Sequence, residues 1–127
     1  MATMLTRSEG DVLIAYFQDV RIIDESRIES LGNELIELLN QTANDRIILN
    51  FQNVSFMSSA MIGKLISFGK KCREKSVALR ITNITENVAE VFKLMRLEKV
   101  FDIDPDEETA LDKFNKKGWF GLSLIHI

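Results

Sequence analysis

The chain has 127 residues, 46% of them hydrophobic and 28% charged, with a formal net charge of −3. That size supports one domain with a single core that needs neither metal nor disulfide. The acidic balance argues against a nucleic-acid binder, whose first expected mark is a basic surface, and a lone cysteine, Cys72, excludes an internal disulfide and any thiolate cluster.

A reducing, cytoplasmic setting follows from that cysteine usage. Met1 to Arg7 lacks the apolar run of a signal peptide, and nothing approaches the roughly 20 apolar residues of a membrane span. No direct membrane insertion is therefore expected.

Residues 3–8 and 12–17 read as two strands around Glu9-Gly10-Asp11, whose glycine can take the positive φ that hairpins favour. Ile28, Leu31, Leu35, Leu38 and Leu39 then follow helical spacing, so the first helix is expected over about 25–40, with Ser26 and Glu29 as a capping box. Arg46 to Phe51 is short, apolar and rich in β-branched residues, as in a central strand covered on both faces. A second helix begins near Ser59 with Met61, Ile62, Leu65, Ile66, Gly69 and Cys72 on one stripe, and Lys64 mostly off it. Cys72 reads as a small core residue rather than a reactive thiol.

Val77 to Thr82 gives the next strand. Ile84, Val88, Val91, Phe92 and Met95 give a third helix facing the core, capped around Asn83 or Thr85. A short strand over 100–103 precedes Asp104-Pro105-Asp106-Glu107, where proline suits the first helical position and the acids complement the helix dipole. Glu107 and Glu108 read as dipole partners on a solvated face, and the fourth helix runs to about Asn115. The order predicts an α/β fold, one domain over 3–115 with a mixed, mostly parallel sheet and about four helices. The apolar tail 116–127 breaks the pattern, as a docking or dimer element or a remnant of an expression vector, so Trp119 and His126 say nothing about chemistry.

The most informative stretch joins the central strand to the second helix: Asn50-Phe51-Gln52-Asn53-Val54-Ser55-Phe56-Met57-Ser58-Ser59-Ala60-Met61-Ile62-Gly63-Lys64. A serine here can be a helix cap, accepting from orphan N–H groups. It can equally be an exposed acceptor whose phosphorylation adds about −1.5 to −2 charge beside the positive end of the helix. Both readings stay open on this segment alone.

Enzyme chemistry lacks its parts. The sole histidine is His126, so Ser58 and Ser59 have no base for nucleophilic catalysis. No phosphate-binding glycine loop follows a predicted strand, metal ligands at useful spacing are missing, and no cofactor is implied. The central strand ends in Asn50-Phe51 rather than the acidic cluster of a phosphoacceptor-aspartate domain.

Four pieces in order, Ile23-Asp24, Ile48-Leu49-Asn50-Phe51, Val54 to Gly63, and Val88 to Phe101, resemble the STAS family, specifically the bacterial anti-sigma factor antagonists. The resemblance covers about residues 3–115. In that family the junction usually reads aromatic, apolar, Asp-Ser-Ser/Thr-Gly-Leu-Gly, and the serine after the aspartate is the phosphoacceptor. Here Phe56-Met57 match, Ser58 replaces the aspartate, Ser59 falls on the acceptor, Ala60 replaces the second hydroxyl, Met61 the first glycine, and Ile62-Gly63 match.

The resemblance implies a regulatory switch, not an enzyme. The dephosphorylated form binds an anti-sigma factor with Ser/Thr kinase activity, phosphorylation at Ser59 releases it, and a cognate phosphatase resets it. Ser58 is the secondary candidate acceptor, and Asp24, Ser58, Ser59, Ala60, Met61 and Lys64 are the expected partner-contact positions, with Met61 adding bulk where the family leaves room. The alternative is a STAS scaffold that does not switch, or an accessory subunit of a membrane transport complex. Met61 and the apolar tail favour it slightly.

Overall fold

The computed structural model describes residues 4–115, so the tail 116–127 lies outside the described residues. Met4–Glu9 (β1) and Val12–Phe17 (β2) form the expected hairpin, turning at Gly10 with φ +59°, a conformation glycine adopts without a Cβ clash. Arg46–Asn50 (β4), Ala78–Thr82 (β6) and Asp102–Asp104 (β7) complete a five-stranded sheet of order β1-β2-β4-β6-β7, numbered in chain order. Only the β1/β2 pair is antiparallel.

Glu25–Gln41 (α1), Ser59–Glu74 (α2) and Glu86–Leu94 (α3) put Leu31, Leu35, Met61, Ile62, Leu65 and Phe92 into one core with Ala15, Phe17, Ile47, Leu49 and Ile81 of the sheet. The opposite face carries Val12, Ile14 and Ile48, covered by Ala110 and Phe114 of the helix over 107–115 (α4). Of the expected stripe of α2, Met61, Ile62, Leu65, Gly69 and Cys72 are buried, Ile66 is half-buried and Phe68 joins them; burial pushes the Cys72 thiol up to about 11, which keeps it inert. Gly69 belongs to that stripe for a steric reason, since a Cβ there would meet Phe101 Cε1 at 2.8 Å.

Several local expectations are corrected. A parallel pair of two-residue strands, Arg21–Ile22 (β3) and Phe56–Met57 (β5), went unforeseen because two residues carry no readable period. The cap of α1 is Asp24, whose Oδ2 accepts the Arg27 N–H at 3.2 Å, while Ser26 lies inside the helix and donates to the same carboxylate at 2.5 Å. Thr85 occupies the cap position of α3, but its hydroxyl donates to the Val54 carbonyl at 2.8 Å instead of capping. Helix α3 ends at Leu94, so Met95 is 45% exposed rather than core, and a 3₁₀ turn over Leu97–Lys99 delays the last strand to Asp102. Pro105 stands before the cap, because Asp106 accepts from the Thr109 N–H at 2.8 Å and α4 begins at 107.

Candidate functional site

Strand β4 delivers the chain to the carboxyl end of the sheet, where Phe51 turns into the core against Phe17 (ring centroids 4.7 Å apart) and Phe92 (6.3 Å). The connection to β5 is tied down at several points. Asn53 Nδ2 donates to the Phe17 carbonyl at 3.1 Å, and the Ser55 N–H to the Val20 carbonyl at 2.8 Å. The Ser58 N–H then donates to the Ile22 carbonyl at 3.0 Å, so the β3/β5 ladder runs up to the first residue of the site.

In that ladder Ile22 stands opposite Met57. Two residues beyond each come Asp24, the cap of α1, and Ser59, the first residue of α2. One short sheet therefore brings two helix N-termini to the same end of the molecule, side by side.

Ser58 is the cap of α2, but a weak one, with Oγ 3.4 Å from the Met61 nitrogen. Ser59 is exposed, and its hydroxyl makes no hydrogen bond among the described residues. The Ser59 and Ala60 N–H groups likewise have no acceptor among the described residues. The first turn of α2 carries no acidic side chain, so the positive end of its dipole is uncompensated, whereas α1 has both Asp24 and Glu25. An anion on Ser59 would meet open N–H groups and a favourable dipole.

Of the remaining expected contact positions, Ala60 is exposed, and Lys64 is half-buried with Nζ 2.8 Å from Glu29 Oε1, linking α2 to α1. The Asp24 carboxyl is held below the ordinary carboxylate value by the Ser26 hydroxyl and then by the Arg27 N–H. Met61 is the correction. Its side chain is 0% exposed and belongs to the core, so it offers no bulk to a partner. The period of α2 carries it inward, since Met61, Ile62, Leu65 and Cys72 share the buried stripe.

Sequence reasoning did not foresee the apolar rim. Val20, Ile23 and Phe56 are 59%, 49% and 39% exposed, and the Arg21 guanidinium lies 5.4 Å from the Phe56 ring centroid. The signal was present for Ile23 alone, because neighbours in an extended segment face opposite sides and Ile22 is the buried one, whereas Val20 lies in the bend before β3 and no alternation marks it. Among the described residues no group of three or more His, Cys, Asp or Glu could hold a metal ion, and no helix is long and apolar enough to cross a membrane.

The STAS domain family model matches residues 5–110, most of the chain and every residue of the site, and the protein belongs to that family. The fold is similar to that of an anti-sigma factor antagonist from Mycobacterium paratuberculosis, with TM-score 0.77 and 17% identity over 87% of this chain and 92% of that one. It is similar to the anti-sigma factor antagonist SpoIIAA in its unphosphorylated form, with TM-score 0.72 and 19% identity over 89% and 96% of the two chains. The Bacillus cell fate determinant SpoIIAA in its phosphorylated form gives TM-score 0.64 and 18% identity over 87% and 98%. At these identities the likeness is one of fold.

Proposed function

We propose that this protein is an anti-sigma factor antagonist, a cytoplasmic switch that binds an anti-sigma factor with Ser/Thr kinase activity and is released when that kinase phosphorylates Ser59. The observation that carries the reading is Ser59 itself: an exposed hydroxyl without a hydrogen-bond partner among the described residues, at the uncompensated N-terminus of α2, reached by a β3/β5 segment that leaves Val20, Ile23 and Phe56 exposed. A phosphatase resets it. Asp24, Ala60 and Lys64 frame the contact surface, and Ser58 serves as cap and secondary acceptor. That SpoIIAA, of similar fold, has been solved both with and without phosphate supports the reading. The alternative of a STAS module that does not switch loses the support of Met61, which is buried.

The test is mass spectrometry of the protein incubated with its candidate anti-sigma kinase and ATP. One added phosphate is expected on wild type and on Ser58→Ala, and none on Ser59→Ala. A phosphate retained by Ser59→Ala, or none on wild type while the kinase modifies a known substrate, overturns the assignment.

Gly63 offers a second check. It lies one turn beyond Ser59 on the same face of α2, is exposed, and a Cβ there would meet nothing within 4 Å. Folding alone would favour alanine by about 0.8–1 kcal/mol. Gly63→Ala is expected to raise thermal stability by that amount while weakening kinase binding several-fold, read by calorimetric melting and titration. A variant that is stabilised yet binds normally would remove Gly63 from the contact surface.

A further inference from the structure

The first turn of α4 carries two adjacent glutamates that the helix dipole alone would explain equally well. The structure treats them differently. Glu108 is exposed and has no side-chain partner among the described residues. Glu107 is half-buried and takes donors from two strands: Asn50 Nδ2 of β4 at 2.6 Å and Arg7 Nη1 of β1 at 3.1 Å. Burial by itself would raise its pKa, yet the neighbouring Tyr16, Asn50 and Arg7 outweigh it and leave the carboxyl below its ordinary value.

Asn50 is 2% exposed and uses both ends of its amide. While Nδ2 donates to Glu107, Oδ1 accepts the Gln52 N–H at 2.8 Å. The two bonds fix each other, because an amide that turned over would set its NH₂ against the Gln52 N–H and its oxygen against the carboxylate. Gln52 opens the connection that ends in Ser58 and Ser59. The later anchors of that connection come from Phe17, Val20, Ile22 and Thr85, so Gln52 holds the tie that comes from the α4 face.

We propose that Glu107 is a positioning residue for the phosphoacceptor segment, acting from the opposite face of the sheet through Asn50 on Gln52. Its physical effect stands by itself, and only its consequence for phosphorylation rests on the Ser59 reading. Glu107 also borders a cavity of about 560 Å³ lined by Arg7, Tyr16, Gln52 and Asn83. Whatever alters the carboxylate from that side is transmitted to the loop that presents Ser59.

The test compares wild type, Glu107→Gln, Asn50→Ala and, as the control in the same helical turn, Glu108→Gln. Amide hydrogen exchange at Gln52, Val54 and Ser55 is expected to rise roughly tenfold in Glu107→Gln and Asn50→Ala, while Ile48 and Leu49 of β4 keep their protection. In Glu107→Gln the Asn50 side-chain amide resonances shift, and in Glu108→Gln neither readout moves. With the kinase, the KM for Glu107→Gln rises several-fold and Glu108→Gln behaves as wild type.

Unchanged loop exchange in Glu107→Gln overturns the proposal, whatever the kinase does. Loss of protection spread evenly over Ile48 and Leu49 as well overturns it too, by showing a role in global stability only. Wild type that takes no phosphate on Ser59 sinks the switch reading and leaves the exchange result intact, so the two failures are told apart.

Discussion

Ser59→Asp is expected to lower affinity for the anti-sigma kinase by about 100-fold, roughly 2.7 kcal/mol, while changing the melting temperature by no more than a few degrees. The stability half follows from position. Residue 59 is exposed at the first position of α2, where a negative charge meets open N–H groups and the positive end of the helix. The affinity half follows from the rim. A partner that covers Ser59 together with the exposed Val20, Ile23 and Phe56 strips water from residue 59, and a charge buried there without a partner is costly. Titration calorimetry with the isolated kinase reads the effect, with Ser59→Ala as the neutral control expected to bind within a few-fold of wild type. Equal affinities for Ser59→Asp and Ser59→Ala would assign the protein to the STAS modules that do not switch.

Arg80→Met should cost about 3–5 kcal/mol of stability, the range for removing one partner of a buried ion pair, and lower the melting temperature by more than 10 °C. Arg80 Nε donates to Asp104 Oδ2 at 2.5 Å, and Lys113 Nζ lies 2.6 Å from Oδ1. The Asp104 side chain is fully buried and that of Arg80 nearly so. Burial pushes the Asp104 carboxyl up, but the bonds from Arg80 and Lys113 outweigh it and leave its pKa below the ordinary value. The folded state therefore binds the proton less tightly than the unfolded chain does. Its contribution to stability is complete above the ordinary value of about 4 and is lost as pH falls below that toward the folded value. The pair Arg80→Met with Asp104→Leu should regain most of the stability and flatten that acid limb. Urea titrations between pH 3 and 7 separate the cases. If Arg80→Met costs no more than Lys113→Met, an exposed substitution on the same carboxylate, the buried pair is not what holds β6 to β7.

The long elements were legible because each buries one face. Ile28, Leu31, Leu35 and Leu39 repeat at the helical period, and all are buried in α1. Ile47, Ile48 and Leu49 form an unbroken apolar run because β4 has helices on both sides. The segment proposed to hold the acceptor was legible in part. Its serines stood in a strand-to-helix junction that the family resemblance singled out, and the structure puts Ser58 at the cap and Ser59 just inside the helix. Ends were less legible, since both Asp24 and Ser26 offer an oxygen to a helix start and only the path of the chain through β3 decides which is the cap.

Glu107 shows most sharply where reading along the chain stops. Its donors Asn50 and Arg7 lie 57 and 100 residues away, and nothing in a run of neighbours sets it apart from Glu108. By itself the sequence determined the order of the long elements and the faces they bury, because periodicity and turn chemistry act over a few residues, and its family resemblance singled out the strand-to-helix junction. Only the tertiary structure decided that Val20, Ile23 and Phe56 stay exposed on the paired segments leading to the two helix starts, and that a carboxylate on the far side of the sheet is tied through Asn50 to Gln52. Those depend on which elements become neighbours, and that is settled by packing over distances no local pattern records.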